Sequence, residues 1–208
     1  KLKDIDYICC DITDFIINDF IIKNNITHYL NFAALKHVRS EENIFSIKYM
    51  FKTNILGVKL STINLKKSKI KKIFCVSTDK AVNPSSLLGV SKRIMESELW
   101  NLSKKNKLFV SSARFANVSF SNGSILKMIV DRVNQKMKFG IPNNIKRYFI
   151  THQEASSLCL KALLNESNGK IVIPKKDILK QQSIKFLCER ILKEFNYIAN
   201  FGNKTKTV

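Results

Sequence analysis

Acidic residues are scarce in this chain of 208 residues: 16 Asp+Glu stand against 36 Lys+Arg, a formal net charge of +20. Long apolar runs are missing as well. No stretch approaches the ~18 uninterrupted apolar residues of a membrane span, which excludes a spanning helix from this segment. The residues from Lys1 to Asp6 lack the apolar core of a secretory signal. Closely spaced glycines are absent: Gly57, Gly89, Gly123, Gly140, Gly169 and Gly202 nowhere form G-x-G-x-x-G, the turn that lets a backbone approach a pyrophosphate. Cys9, Cys10, Cys75, Cys159 and Cys188 are odd in number and lack C-x-x-C spacing, and His28, His37 and His152 show no ligand spacing with them. No metal site is therefore expected, and the cysteines read as reduced core residues of a cytoplasmic protein. Internal repeats and low-complexity linkers are missing too.

What is present is a globular composition. Hydrophobic residues make up 45% of the chain, enough for a core, and the length suits one domain or one with an appendage. The charge suggests an anionic partner such as nucleic acid. Its distribution argues otherwise. Arginine occurs only at 39, 93, 114, 132, 147 and 190, and the lysines are scattered apart from the cluster at 66–72. Lys, Ile and Asn are residues of A/T-rich codons, so base composition alone yields this balance. No nucleic-acid reader motif accompanies it.

Short β-type runs alternate with helical patterns. Strands are predicted at 7–12, 28–32, 72–77, 108–113, 147–151 and 170–174. Helices are predicted at 14–23, 42–65, 85–103, 125–137, 152–164 and 183–195. The run Lys-Ile-Phe-Cys-Val-Ser at 72–77 is apolar without alternation, as in a strand buried on both faces. This order predicts an α/β fold, a doubly wound parallel sheet, with residues 1–117 as a nucleotide-binding domain and 118–208 as a smaller substrate-binding lobe, packed as one unit. Ligands of such sheets bind beyond the carboxyl ends of the strands. That rule singles out 11–14, 33–37, 78–80 and 114–117.

Three segments carry a resemblance: Asn31-Phe32-Ala33-Ala34-Leu35-Lys36-His37-Val38, Ser77-Thr78-Asp79-Lys80-Ala81-Val82-Asn83-Pro84 and Gly89-Val90-Ser91-Lys92-Arg93. With Ala113-Arg114-Phe115-Ala116-Asn117-Val118 and Lys146-Arg147-Tyr148-Phe149-Ile150-Thr151, they make the chain resemble the extended short-chain dehydrogenase/reductases. More narrowly, it resembles the bacterial UDP-N-acetylglucosamine 4,6-dehydratases of polysaccharide and legionaminic-acid-type biosynthesis. The resemblance spans about residues 11–174, and S-T-D-K-A-x-N-P is its most specific piece. It departs from the family pattern twice. The family's glycine-rich turn would lie upstream of Asp11, so the chain reads as lacking the N-terminal βαβ unit. The family's Tyr-x-x-x-Lys has Leu88 in the Tyr position, and a Leu side chain neither donates nor accepts a proton.

The resemblance implies a redox-neutral elimination: hydride leaves sugar C4, the C5 proton is removed, water is lost from C6, and hydride returns to C6. It implies NADP or NAD as cofactor, a UDP-sugar substrate and a homo-oligomer, with no nucleic acid and no membrane in this segment. Asp79 is the implied acid and Lys80 the implied base. An amine serves as base only where burial or a nearby cation lowers its pKa. Thr78 would polarise the C4 oxygen and Lys92 would hold the nicotinamide ribose. Asp11 and Ile12 would meet the adenine, and Ala33, Ala34 and Lys36 the phosphate–ribose side. Asn117 and Arg147 would bind substrate, the Arg fork matching the diphosphate. Asn54 is read as a structural hydrogen-bonding residue.

Two other readings stand beside this one. A catalytically silent remnant or interaction module is supported by Leu88 and by the absent glycine turn. A basic nucleic-acid-binding domain is supported by charge alone.

Overall fold

A computed structural model describes residues 5–36, 41–142, 144–165, 168–175, 179 and 181–198. His37 and Val38 of the second motif lie outside them. The elements in chain order are α1 (Ile16–Lys23), β1 (His28–Asn31), α2 (Ile44–Phe51), a π-helical turn (Lys52–Leu56), α3 (Gly57–Ser61), β2 (Lys72–Thr78), α4 (Leu87–Asn106) and β3 (Phe109–Phe115). There follow β4 (Asn117–Val118), α5 (Ile125–Asn134), β5 (Lys146–Ile150), α6 (His152–Leu164), β6 (Lys170–Val172), β7 (Gln181–Ser183) and α7 (Ile184–Glu194). The chain clusters into two compact units, Lys1–Arg114 with Lys161–Val172, and Phe115–Leu160 with Ile173–Val208.

The first unit holds a four-stranded sheet in the order β1-β2-β3-β6. β1 runs parallel to β2 with Leu30 opposite Phe74, and β3 runs parallel to β6 with Ser112 opposite Ile171. Parallel neighbours require crossover connections, usually helical. α4 is the crossover from β2 to β3, capped by Ser86, whose hydroxyl accepts from the Gly89 amide. The core joins Ile73 and Cys75 of β2 and Val110 of β3 to Met95 and Leu99 of α4, with Val58 of α3. Each of these six is fully buried.

The strand predicted at 7–12 is not formed. Residues 5–11 follow an irregular path, and Tyr7 is 75% exposed. An apolar run becomes a strand only where a neighbour takes its backbone hydrogen bonds, and none of the described strands pairs with it. The helix predicted over 42–65 is three pieces, α2, the π-helical turn and α3. The turn buries Thr53 and Asn54, and it leads into Gly57, where a Cβ would stand 2.7 Å from Ile12 Cγ2. Only glycine lets α3 approach Ile12 so closely.

In the second unit β4 runs parallel to β5 and β5 antiparallel to β7, with Arg147 opposite Gln182. Leu126, Ile129 and Val133 of α5 recur at helical spacing and pack on Cys188 and Leu192 of α7. Thr151 and Glu154 form a capping box at the start of α6: Thr151 N–H donates to the Glu154 carboxylate and the Glu154 amide donates to Thr151 Oγ1.

Candidate active site

The run Ser77-Thr78-Asp79-Lys80 begins as the end of β2 and turns at once into a single 3₁₀ turn, Asp79–Ala81. Thr78 makes this turn possible. Its backbone is still extended while its hydroxyl accepts from the Lys80 amide. The same hydroxyl donates to Asp79 Oδ1 at 2.9 Å, and Lys80 Nζ lies 3.6 Å from that oxygen. Their side chains are 37% and 42% exposed for Lys80 and Asp79. A hydroxyl, a carboxylate and an amine are thus gathered, open to solvent, beyond the carboxyl end of a buried strand.

Helix α4 lies against this turn. Leu88 is buried and its amide donates to Glu41. Lys92, one turn further, is buried and donates from Nζ to the Val76 carbonyl at 3.0 Å. Burial pushes its pKa down to about 8, against the smaller upward pull of Cys75 and Glu96. Cys75 on β2 is pushed up to about 12, chiefly by burial.

Beyond the end of β1, the Ala33 amide donates to Asn31 Oδ1, and Ala33, Ala34 and Lys36 are exposed. Asn54 holds this loop: its Oδ1 accepts from the Leu35 amide, and its Nδ2 donates to the Leu35 carbonyl and to Ser91 Oγ of α4. One buried side chain therefore joins the loop after β1 to the helix that carries Lys92. Asp11 and Ile12 do not follow a strand. The Asp11 carboxylate accepts from Thr13 N and Oγ1 and from the Tyr49 hydroxyl, which lowers its pKa to about 2. Ile12 packs toward Gly57.

Asn117 and Arg147 lie in the second unit. Asn117 Nδ2 donates to the Tyr148 carbonyl, and Arg147 is exposed on β5. A pocket of about 530 Å³ in the same unit is lined by Phe120, Phe149, Leu187, Arg190 and Glu194 among others. Of its lining only Phe149 falls in a segment that carries the resemblance; the other walls come from α5, β7, α7 and the loop after β4.

A buried ionic cluster also escapes a reading by motif. Glu96 of α4 accepts from Ser77 Oγ at 2.6 Å and pairs through both oxygens with Arg114, Nε at 2.8 Å and the second amino group at 2.5 Å. The one signal for it in the sequence is the i,i+4 spacing of Lys92 and Glu96, which puts both on the face of α4 that meets β2. Among the described residues no group of three or more His, Cys, Asp or Glu is placed to hold a metal ion, and no helix is long and apolar enough to cross a membrane.

The chain is 34% identical over 143 residues to the capsular polysaccharide biosynthesis protein CapD of Staphylococcus aureus, an alignment covering 68% of this chain and 24% of that protein. It is 28% identical over 192 residues to a UDP-glucose 4-epimerase of Rickettsia bellii, covering 88% of this chain and 52% of that one. It thus spans about half, or less, of these relatives. Its fold matches that of DesIV, a dTDP-glucose 4,6-dehydratase of Streptomyces venezuelae solved with NAD and TYD bound. That match has a TM-score of 0.77 at 15% identity and covers 90% of this chain and 63% of that one. The architecture shared with that enzyme is an α/β fold built on a parallel sheet. The family model described as polysaccharide biosynthesis protein matches residues 2–207, and the chain belongs to that family.

Proposed function

We propose that the chain is the catalytic part of an NAD- or NADP-dependent nucleotide-sugar 4,6-dehydratase acting on UDP-N-acetylglucosamine in the cytoplasm. The observation that carries this reading is the Thr78–Asp79–Lys80 turn, with hydroxyl, carboxylate and amine within hydrogen-bond or ion-pair reach of one another. A simple hydride transfer needs one acid/base group. Elimination of water next to a ketone needs an acid and a base together.

The residues at the strand ends would line the ribose side of a dinucleotide, with no glycine turn for its pyrophosphate among them. Ala33 and Ala34 expose a small-residue loop beyond β1, and Lys36 adds a cation beside it. Lys92, on the neighbouring helix, would hold the ribose. When bound, the nicotinamide supplies a hydride acceptor for C4 and a donor for C6. The chain's own groups handle the protons. The Thr78 hydroxyl, already donating to Asp79, passes the O4 proton to the Asp79 carboxylate. Lys80 enters the cycle with its ammonium proton released to solvent from the ion pair with Asp79, and removes the C5 proton. Asp79 gives its proton to the departing C6 oxygen, which leaves as water, and Lys80 returns its proton to C5 as the hydride reaches C6. The proton taken from O4 equals the proton lost in water, so both side chains end as they began.

Asn117 and Arg147, with the apolar pocket of the second unit, are the groups proposed to bind the UDP portion, the guanidinium matching phosphate oxygens. Self-association is proposed through the helical regions 42–65 and 85–103, where Ile44, Phe45, Tyr49 and Ile94 are exposed. The competing reading, a fold kept without turnover, rests on Leu88, which is buried and has no proton to give. Incubating the purified protein with UDP-N-acetylglucosamine and NAD or NADP separates the two. Appearance of a 4-keto sugar nucleotide lighter by one water supports the dehydratase. Unchanged substrate, from protein that binds NAD or NADP in a fluorescence titration, supports the silent fold.

A further inference from the structure

The end of β2 is gripped from one side by one face of α4. Lys92 donates to the carbonyl of Val76, and one helical turn later Glu96 accepts from the hydroxyl of Ser77. Those two strand residues immediately precede Thr78. Glu96 is 4% exposed, and its carboxylate takes further bonds from Arg114, which lies near the end of β3 and is 13% exposed. Arg93 reaches the same carboxylate at 3.6 Å from the exposed side of the helix. A carboxylate buried this deeply is held only when its hydrogen-bonding capacity is filled. Here it is filled by groups from β2, β3 and α4 itself.

We propose that Glu96 is a positioning residue: it clamps the carboxyl ends of β2 and β3 onto α4 and so fixes the Thr78–Asp79–Lys80 turn. Glu96 reaches the turn through Ser77, the residue directly before Thr78. A serine hydroxyl without this acceptor is free to rotate, and the turn that follows loses one of its anchors on α4, the Lys92–Val76 bond remaining. Arg114 completes the clamp, since a bidentate guanidinium fixes the orientation of the carboxylate as well as its charge. The effect on turnover rests on the reading that this turn is catalytic; the effect on the turn itself does not.

The test uses Ser77→Ala and Glu96→Gln. Ser77→Ala removes a single bond and leaves the Glu96–Arg114 pair, so it keeps the proposal testable if Glu96→Gln folds poorly. Amide hydrogen exchange is followed by mass spectrometry alongside kcat and KM for UDP-N-acetylglucosamine. The expected result is at least ten-fold faster exchange confined to 78–81, unchanged exchange in α1 and β1, and a kcat at least ten-fold lower with KM within two-fold. Unchanged exchange at 78–81, or exchange raised equally throughout the unit, overturns the clamp. A wild-type protein that turns over no nucleotide sugar, while exchange at 78–81 responds as expected, refutes the proposed activity and upholds the clamp.

Discussion

Gly89 of α4 sits against the carbonyl of Lys80, so close that a Cβ on the glycine would stand 2.6 Å from that oxygen and 3.1 Å from Pro84 Cβ. The obstacle is backbone, which cannot swing aside as a side chain can. In a helix, Gly→Ala ordinarily stabilises by up to ~1 kcal/mol. At Gly89 the sign reverses: Gly89→Ala is expected to destabilise by about 1–3 kcal/mol through overpacking and to lower kcat by pushing the turn off α4. Urea denaturation and turnover measure both. A stabilised variant of normal activity would show that the approach is not required.

Asp79 and Lys80 are exposed enough that replacing them should leave the fold intact. Asp79→Asn and Lys80→Ala are each expected to cut turnover ~10²–10⁴-fold, the usual weight of a general acid or base, with the midpoint of thermal unfolding nearly unchanged. Variants of either residue that retain the wild-type rate would remove them from the chemistry.

Lys92 makes stability depend on pH with a definite sign. Its folded pKa of about 8 lies below the ordinary 10.5, so between those values the unfolded chain holds a proton that the folded chain has released. Stability from this group therefore rises with pH across that window, by about 3 kcal/mol in all, and the full cost of the buried charge is present below pH 8. The difference in unfolding free energy between wild type and Lys92→Met, measured from pH 7 to 10.5, should rise accordingly. A flat difference would mean that the amine is not buried.

Asp11 and Tyr49 form a second titrating pair. The tyrosine donates to the carboxylate at 2.6 Å, which raises the phenol above its usual value, while Thr13 and Tyr49 hold Asp11 at about 2. The stabilisation from Asp11 is present above its ordinary value of 3.8 and is lost as pH falls through 2. Asp11→Asn should let a tyrosine ionise at lower pH, seen as phenolate absorbance in an alkaline titration. An unchanged titration would show that the two residues are not bonded.

Much of the proposed catalytic turn is legible because its groups are neighbours in the chain. The apolar run at 72–77 fixes a buried strand, and Thr78, Asp79 and Lys80 must then emerge at its end. α4 was legible from its pattern, which placed it at 85–103, close to the observed Leu87–Asn106. The clamp was not, because Glu96 and Arg114 are 18 residues apart and either alone looks like a surface charge. Local pattern also missed the π-helical turn at Asn54, since buried residues at helical spacing do not distinguish one hydrogen-bond register from another. β4 and β7, of two and three residues, are too short to show alternation. At 7–12 the strand expected from the apolar residues is not formed, because a strand is a property of two segments and composition reports only one.

The most direct measurement of the proposed chemistry follows a deuterium label placed at C4 of UDP-N-acetylglucosamine. The expected product is a 4-keto, 6-deoxy sugar nucleotide that has lost one water and carries the deuterium at C6, because the hydride leaves and returns within one site. A product of unchanged mass with deuterium still at C4, or inverted at that carbon, would contradict the elimination and with it the roles given to Asp79 and Lys80.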